Sequence, residues 1–430
     1  MRTFVFLVFL TIASTISAAA QTAAQMKAAG DAERAADAAY NAGDMPTFLS
    51  QMEAADRNRP NHPRITYNLA VAFAKNSRST EALAAISRLA KMGLAFAVEK
   101  DEDFAVLKGT EAFAALVTEF TRNRTPVINS SRSIGIEDKN LIAESVAFES
   151  GSPSFFIGSV HLGKIVRVSN DGTVHEFSSP TDGLWSVLGM KVDEKRGVLW
   201  AASSAFPQLK GYKVGDKGRS GVFKYDIRSG RLMGKYLLPP GEDHGLGDVL
   251  IGNDGTVFAS DSVSPYIYRI APGSDSIESF IHSDIFASLQ GITFGKDQNE
   301  MYAADYSKGI FRIKMRSKEI VQLRPARNVT LLGIDGMYYF GGRLIAIQNG
   351  VNPNRVISLE VRGDTIPSFT ILESAHPDYM EPTLGVLIGN DLHYIANSQW
   401  PMVNEKAELS LDKLRSPVVL KLDLKKVVKN

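Results

Sequence analysis

A unit of one shape recurs about six times between positions 144 and 423, and nothing else in the chain limits its fold as strongly. Each copy reads as an apolar strand, a turn on Gly or Asp-Gly, a second apolar strand, and then a small or acidic cluster. The segment 248–261 (DVLIGNDGTVFASD) aligns with 290–305 (QGITFGKDQNEMYAAD), and 336–349 and 385–397 repeat the pattern. Copies start near Glu144, Leu188, Asp248, Gln290, Asp335 and Glu381, about 42 to 60 residues apart. That spacing holds one four-stranded sheet per copy, which is the construction of a propeller. The expected fold is therefore mainly β: a six-bladed β-propeller over 140–430, with its functional site in the central channel.

The rest of the chain is different in kind. Residues 1–20 read as a secretory signal: Arg2 gives the positive charge, 4–12 the apolar run, and Ala18 to Ala20 the small-residue cleavage site. The apolar run is short for a bilayer-spanning helix. With no cysteine there is neither a lipid-attachment thiol nor a disulfide, so the expected location is periplasmic or secreted, with no transmembrane segment after cleavage. Residues 21–122 are rich in Ala, with apolar positions at helical spacing (Tyr67, Leu69, Ala70, Phe73), and they predict an α-helical domain. Residues 123–139 predict a linker, and part of it is a candidate strand to pair beside 418–423 and close the ring.

Charge is balanced, with 48 basic against 47 acidic residues, so the chain offers no broad nucleic-acid surface. Gly245 and Gly247 lack the strand–loop–helix setting of a dinucleotide or phosphate loop, and no Gly-x-Ser-x-Gly elbow occurs. Thiol chemistry is excluded by the absence of cysteine.

Strand direction alternates through a blade. Residues entering the innermost strands (Glu144, Asp248, Gln290, Asp335, Glu381) and those leaving the second strands (His161, Asp261, Asp305, Gln348, Asn349, Asn397) therefore emerge on one face. Carboxylate and amide oxygens converging there are what a hard divalent cation such as calcium selects. Asp261 and Asp305 recur at one blade position and read as turn caps. His161 and His244 are the histidines nearest the expected mouth, with His376 further off. Trp200 reads as blade core, and Trp400 as a wall of the mouth. The insertion 205–219 in the second blade reads as a loop over one face, where substrate contacts often lie.

The segment 62–94, with Tyr67 to Ala70, Ala82, Leu83 and Ala90 at small and apolar positions, resembles a tetratricopeptide repeat, which implies either a partner-docking groove or a helical cap on the propeller. The blade region resembles the gluconolactonase and senescence marker protein family, with paraoxonases more distant. The stretches that carry this are 143–148 (AESVAF), 158–164 (GSVHLGK), 290–294 (QGITF) and 334–337 (IDGM). The resemblance implies a six-bladed propeller with a divalent metal at the channel mouth and hydrolysis of lactones or related esters. Carried over residue by residue, it makes Glu144, Asp248, Gln290 and Asp335 the metal ligands and Asp335 also the catalytic residue. His161, His244, Gln348, Asn397 and Trp400 stand as candidate contacts to a lactone, ester or sugar-like ligand. Two departures count: Gln290 stands where the family has Asn, and Gly247 replaces the Asn of an Asn-Asp pair. The rival expectation is a non-catalytic ligand-binding or scaffold propeller whose helical domain docks a protein partner.

Overall fold

The structure, a computed structural model, describes residues 22–169, 172–404, 406, 408–410 and 412–428. The export signal expected at 1–20 lies outside the described residues.

Five α-helices precede the propeller: α1 Ala23–Asn41, α2 Met45–Asn58, α3 Pro63–Lys75, α4 Ser79–Lys91 and α5 Glu111–Arg124. Their starts are set locally. Thr22 and Gln25 form a capping box on α1, Asp44 accepts from Thr47 N–H on α2, and Thr110 accepts from Phe113 N–H on α5. Phe48, Met52, Ile65, Leu69, Ile86 and Leu89 face one another in a shared core. Among the described residues no helix is long and apolar enough to cross a membrane.

Six antiparallel four-stranded sheets follow. Their innermost strands are Ala143–Glu149, Ser186–Asp193, Leu246–Ile251, Leu289–Phe294, Ile334–Phe340 and Gly385–Ile388. The first five start within two residues of the positions read from the repeat. The sixth starts four residues after Glu381. The inner strands of blades one to five pack side by side in turn, that of blade six lies against blade one, and Gly385 N–H of blade six donates to Tyr338 Oη of blade five, so the ring is closed. Its last sheet is composite: the outer strand Ser131–Gly135 pairs antiparallel with Val418–Asp423 from the far end of the chain. A short parallel pair, Arg324–Pro325 with Thr365–Ile366, lies outside the blades.

Close approach around the channel requires glycine. A Cβ on Gly291 would lie 2.5 Å from the Asp335 carbonyl oxygen and 2.6 Å from Met337 N, so any larger residue would push blades four and five apart.

The helical unit is fastened to blade five. Val351, in the loop between its second and third strands, is buried in the helical core. Ala95 and Asn352 exchange hydrogen bonds: Ala95 N–H donates to Asn352 O, and Asn352 Nδ2 donates to Ala95 O. Arg355 is fully buried and donates to Met92 O (2.6 Å) and to Gln348 Oε1 (2.7 Å). With no carboxylate partner, burial lowers its pKa to about 9.

Candidate functional site

The inner strands share one irregularity. The register with the second strand shifts at Glu144 in blade one, Leu188–Gly189 in blade two, Gly247–Asp248 in blade three, Gln290–Gly291 in blade four and Asp335–Gly336 in blade five. A bulge breaks the alternation of faces and re-aims the side chain it carries. Four of the five bulges carry a polar side chain, and Glu144, Asp248, Gln290 and Asp335 all line one cavity of about 270 Å³. Blade six has no such bulge. It supplies Glu381 instead, held at φ +67°, a left-handed conformation that a glutamate adopts at a cost of order 1–3 kcal/mol.

Each carboxylate has a distinct setting. Glu144 accepts from the Trp400 indole Nε1 at 2.6 Å; burial, and then the neighbouring Asp335 charge, hold its carboxyl well above the usual range. Asp248 accepts from Val249 N–H (2.8 Å) and Ile292 N–H (3.2 Å), with the Lys191 ammonium 3.8 Å away. Burial raises its pKa, and Lys191 opposes the rise. Asp335 accepts from Asn349 Nδ2 at 2.7 Å, and Tyr306 Oη donates to Asn349 Oδ1 at 3.0 Å. Burial, reinforced by the Glu381 and Asp248 charges, pushes Asp335 up to about 7. Glu381 is raised by burial, and its Oε2 is buried with no hydrogen-bond partner. Among the described residues, four carboxyl groups thus face one cavity with a single nearby ammonium.

A hard cation fits this donor set: carboxylate and amide oxygens, mutual repulsion, and an unsatisfied buried carboxylate oxygen on Glu381. Among the described residues no three His, Asp or Glu side chains cluster as a ready-made metal cage. A cation would therefore complete its shell with amide, water or ligand oxygens.

The other sequence candidates divide. Trp400 lines the cavity, and Phe206 from the 205–219 insertion meets it edge-on at 5.8 Å between ring centres. His161, His244, Gln348 and Asn397 do not line it. His161 Nδ1 bonds Gln208 O at 2.8 Å and pins the insertion to blade one. His244 is buried against Asp261, 2.7 Å from Nδ1 to Oδ2. Gln348 donates to Thr330 O and Leu332 O and accepts from Arg355, while the next residue, Asn349, faces the cavity. Asn397 bonds Ser416 O and Val418 N–H, fixing the closing strand. Each is tied to the scaffold through at least one polar atom. Asp261 and Asp305 cap turns, accepting from three and four backbone N–H groups respectively. His376 lies beside Glu373, and Trp200 is buried against Tyr236. Glu381, read from the repeat as one of the residues ringing the mouth, lines the cavity, and so does Phe206 from the insertion read as a contact loop; Tyr306 lines it as well, and no sequence signal marked it.

No protein-family model and no curated protein matches the chain. Among solved structures it is similar to a gluconolactonase from Xanthomonas campestris, at 12% identity over 69% of this chain and 100% of that one, with a TM-score of 0.45. It is also similar to virginiamycin B lyase from Staphylococcus aureus, at 16% identity over 61% of this chain and 80% of that one, with a TM-score of 0.43. Likeness at this level says nothing about activity; the six-bladed fold stands on the strand pairing itself.

Proposed function

We propose that the protein is a hydrolase of the lactone or ester class, acting at the acidic mouth of the channel with a divalent cation, calcium first among them. The observation that carries this is Asp335, a buried cavity carboxyl oriented by Asn349 and, in the metal-free site, raised by burial to about 7. A general base works best when its pKa lies near the operating pH. With one Asp335 oxygen held by Asn349, the other accepts a proton from water as that water adds to the substrate carbonyl carbon. When the ring or ester C–O bond breaks, the same carboxyl returns the proton to the departing alkoxide oxygen. Tyr306 fixes the Asn349 amide, and Leu188, Phe206, Leu384 and Trp400 give the substrate body an apolar wall. The residues that would hold a cation are Glu144, Asp248 and Gln290, which leaves the second Asp335 oxygen free for the proton. Such an ion would polarise the carbonyl and favour the oxyanion.

The reading extends to export through segment 1–20, action in the periplasm or outside the cell, and a protein partner on the helical unit. Binding without turnover is the second reading, favoured by the absence of a ready-made cage among the described residues. The test is a lactone and ester panel assayed on the mature protein with and without calcium, beside Asp335→Asn. Turnover should fall by about 10² to 10⁴ in the variant while its circular dichroism shows the fold retained. Undiminished turnover in folded Asp335→Asn removes Asp335 from the chemistry. A chain with no turnover on any substrate, but with calcium and ligand binding, would leave the binding reading.

A further inference from the structure

A second cavity, of about 330 Å³, lies where the helical unit meets blade four, remote in its lining from the channel mouth. Its walls come from Gln25 and 57–61 on the helical side, and from Lys308, Gln322–Pro325 (322–325) and Leu331–Leu332 (331–332) on the propeller. The charges lining it are of one sign: Arg57, Arg59, Lys308 and Arg324, with no carboxylate among the lining residues. In a chain with 48 basic and 47 acidic residues this is a local excess, not a reflection of composition.

Of the three carboxylates whose charge reaches Arg59 or Lys308, two are already engaged. Asp305 is fully buried and accepts from the backbone N–H groups of Ala287, Ser288, Ser307 and Lys308. Glu33 is paired with Arg64, and Asp284 is exposed beside His282. The cations are less well served. Arg59 donates from one terminal nitrogen to Ser307 O at 2.7 Å, but its Nε is buried with no acceptor. Lys308 donates to Ile285 O at 2.6 Å. Arg57 and Arg324 are exposed and form no ion pair among the described residues. A guanidinium N–H taken out of water without an acceptor is costly, and an anion that reaches it recovers that loss. The opposite wall is apolar, made by Pro60, Leu323, Pro325, Leu331 and Leu332.

We propose that this junction is a binding site for a small organic anion, a carboxylate or phosphate group on an apolar body, gripped by Arg59 and Arg324 from the two sides of the interface. Planar guanidinium forks suit carboxylate and phosphate oxygens, whereas the leucine and proline wall takes the body. The volume falls at the lower end of the range for small-molecule pockets. Because one arginine belongs to the helical unit and the other to the propeller, the bound anion ties the two together. The site is independent of any reaction in the channel.

The test uses the full mature chain and three probes, acetate, hexanoate and inorganic phosphate, followed by calorimetry and by melting temperature. Hexanoate should bind more tightly than acetate and raise the melting temperature. Arg324→Ala, an exposed position that leaves the fold intact, should weaken hexanoate and phosphate about tenfold or more, and Arg59→Gln should do the same. Asp335→Asn should change neither. Absence of binding by all three probes at about 10 mM, a concentration that reveals even millimolar affinities, would overturn the proposal. So would hexanoate binding that survives unchanged in folded Arg324→Ala.

Discussion

The two cavities of this molecule solve opposite problems with opposite charges. At the channel mouth, Glu144, Asp248, Asp335 and Glu381 are enclosed together, with Lys191 the one cation near them. At the domain junction, three arginines and a lysine stand without a lining carboxylate. Buried carboxyl groups can take up protons: burial shifts all four upward, and like charge adds to the shift at Glu144 and Asp335. Guanidinium groups have no such escape near neutral pH, so a cluster of them must remain wet or find an anion. Enclosure therefore yields a titrating site in one place and a ligand-seeking site in the other.

The largest way to break that contrast is pH. In metal-free protein the folded Asp335 carboxyl titrates at about 7 and the unfolded one at its ordinary 3.8. Between these values the folded state keeps a proton that the unfolded state has released. The stabilisation is thus complete below about pH 4 and lost as the pH climbs to about 7, a difference on the order of 4 kcal/mol for one group. Urea unfolding across this range should show the loss in the wild type, and Asp335→Asn should remove that share of it. Calcium should raise stability most above pH 7, where the carboxylates are charged. Parallel curves for wild type and variant would show that Asp335 carries no such proton.

A smaller effect sharpens the acidic side. Trp400→Phe deletes the indole N–H that serves Glu144 Oε2 while keeping an aromatic wall. It should cost about 1.5 to 3 kcal/mol at pH 8, the range for a hydrogen bond to a charged group, and should weaken calcium binding by calorimetry. An unchanged unfolding midpoint would mean that Glu144 is protonated or otherwise served there.

The smallest effect separates the two sites by solvent. Raising salt from about 0.05 to about 0.5 M should weaken hexanoate binding severalfold, because Arg57 and Arg324 are exposed, and move calcium affinity less. Equal sensitivity of the two would remove the distinction between a site gripped by exposed arginines and one lined by buried carboxylates.

The legible part of this molecule is the part that repeats. Glu144, Asp248, Gln290 and Asp335 occupy equivalent places in four blades, so periodicity alone brings them to one cavity. What stays hidden depends on single hydrogen bonds or on distant partners. His161 and His244 have the chemistry of a site, but Gln208 O and Asp261 engage them. Gln348 and Asn349 differ by one residue, and the end of a strand decides which faces the cavity. Phe206 enters from a loop whose path follows no period. Arg59 and Arg324 are 265 positions apart in the sequence, and only the docking of the helices puts them on one cavity. The helical unit was readable as helices, while its fastening through Val351 and Arg355 was not, since both sit in an otherwise ordinary blade.

The composite sixth sheet has a consequence in time as well as in space. Its outer strand, Ser131–Gly135, precedes the first blade, and the strand it needs, Val418–Asp423, follows the other five. Until that second strand arrives, the ring cannot shut, and the early strand waits with an unsatisfied edge. A chain stopped short of Val418 would keep five blades and an open seam, and the channel mouth would lose the wall that Trp400 and Glu381 share with blade one. Ring closure thus couples the two ends of the propeller: the acidic cavity takes its final shape only once 418–423 has paired.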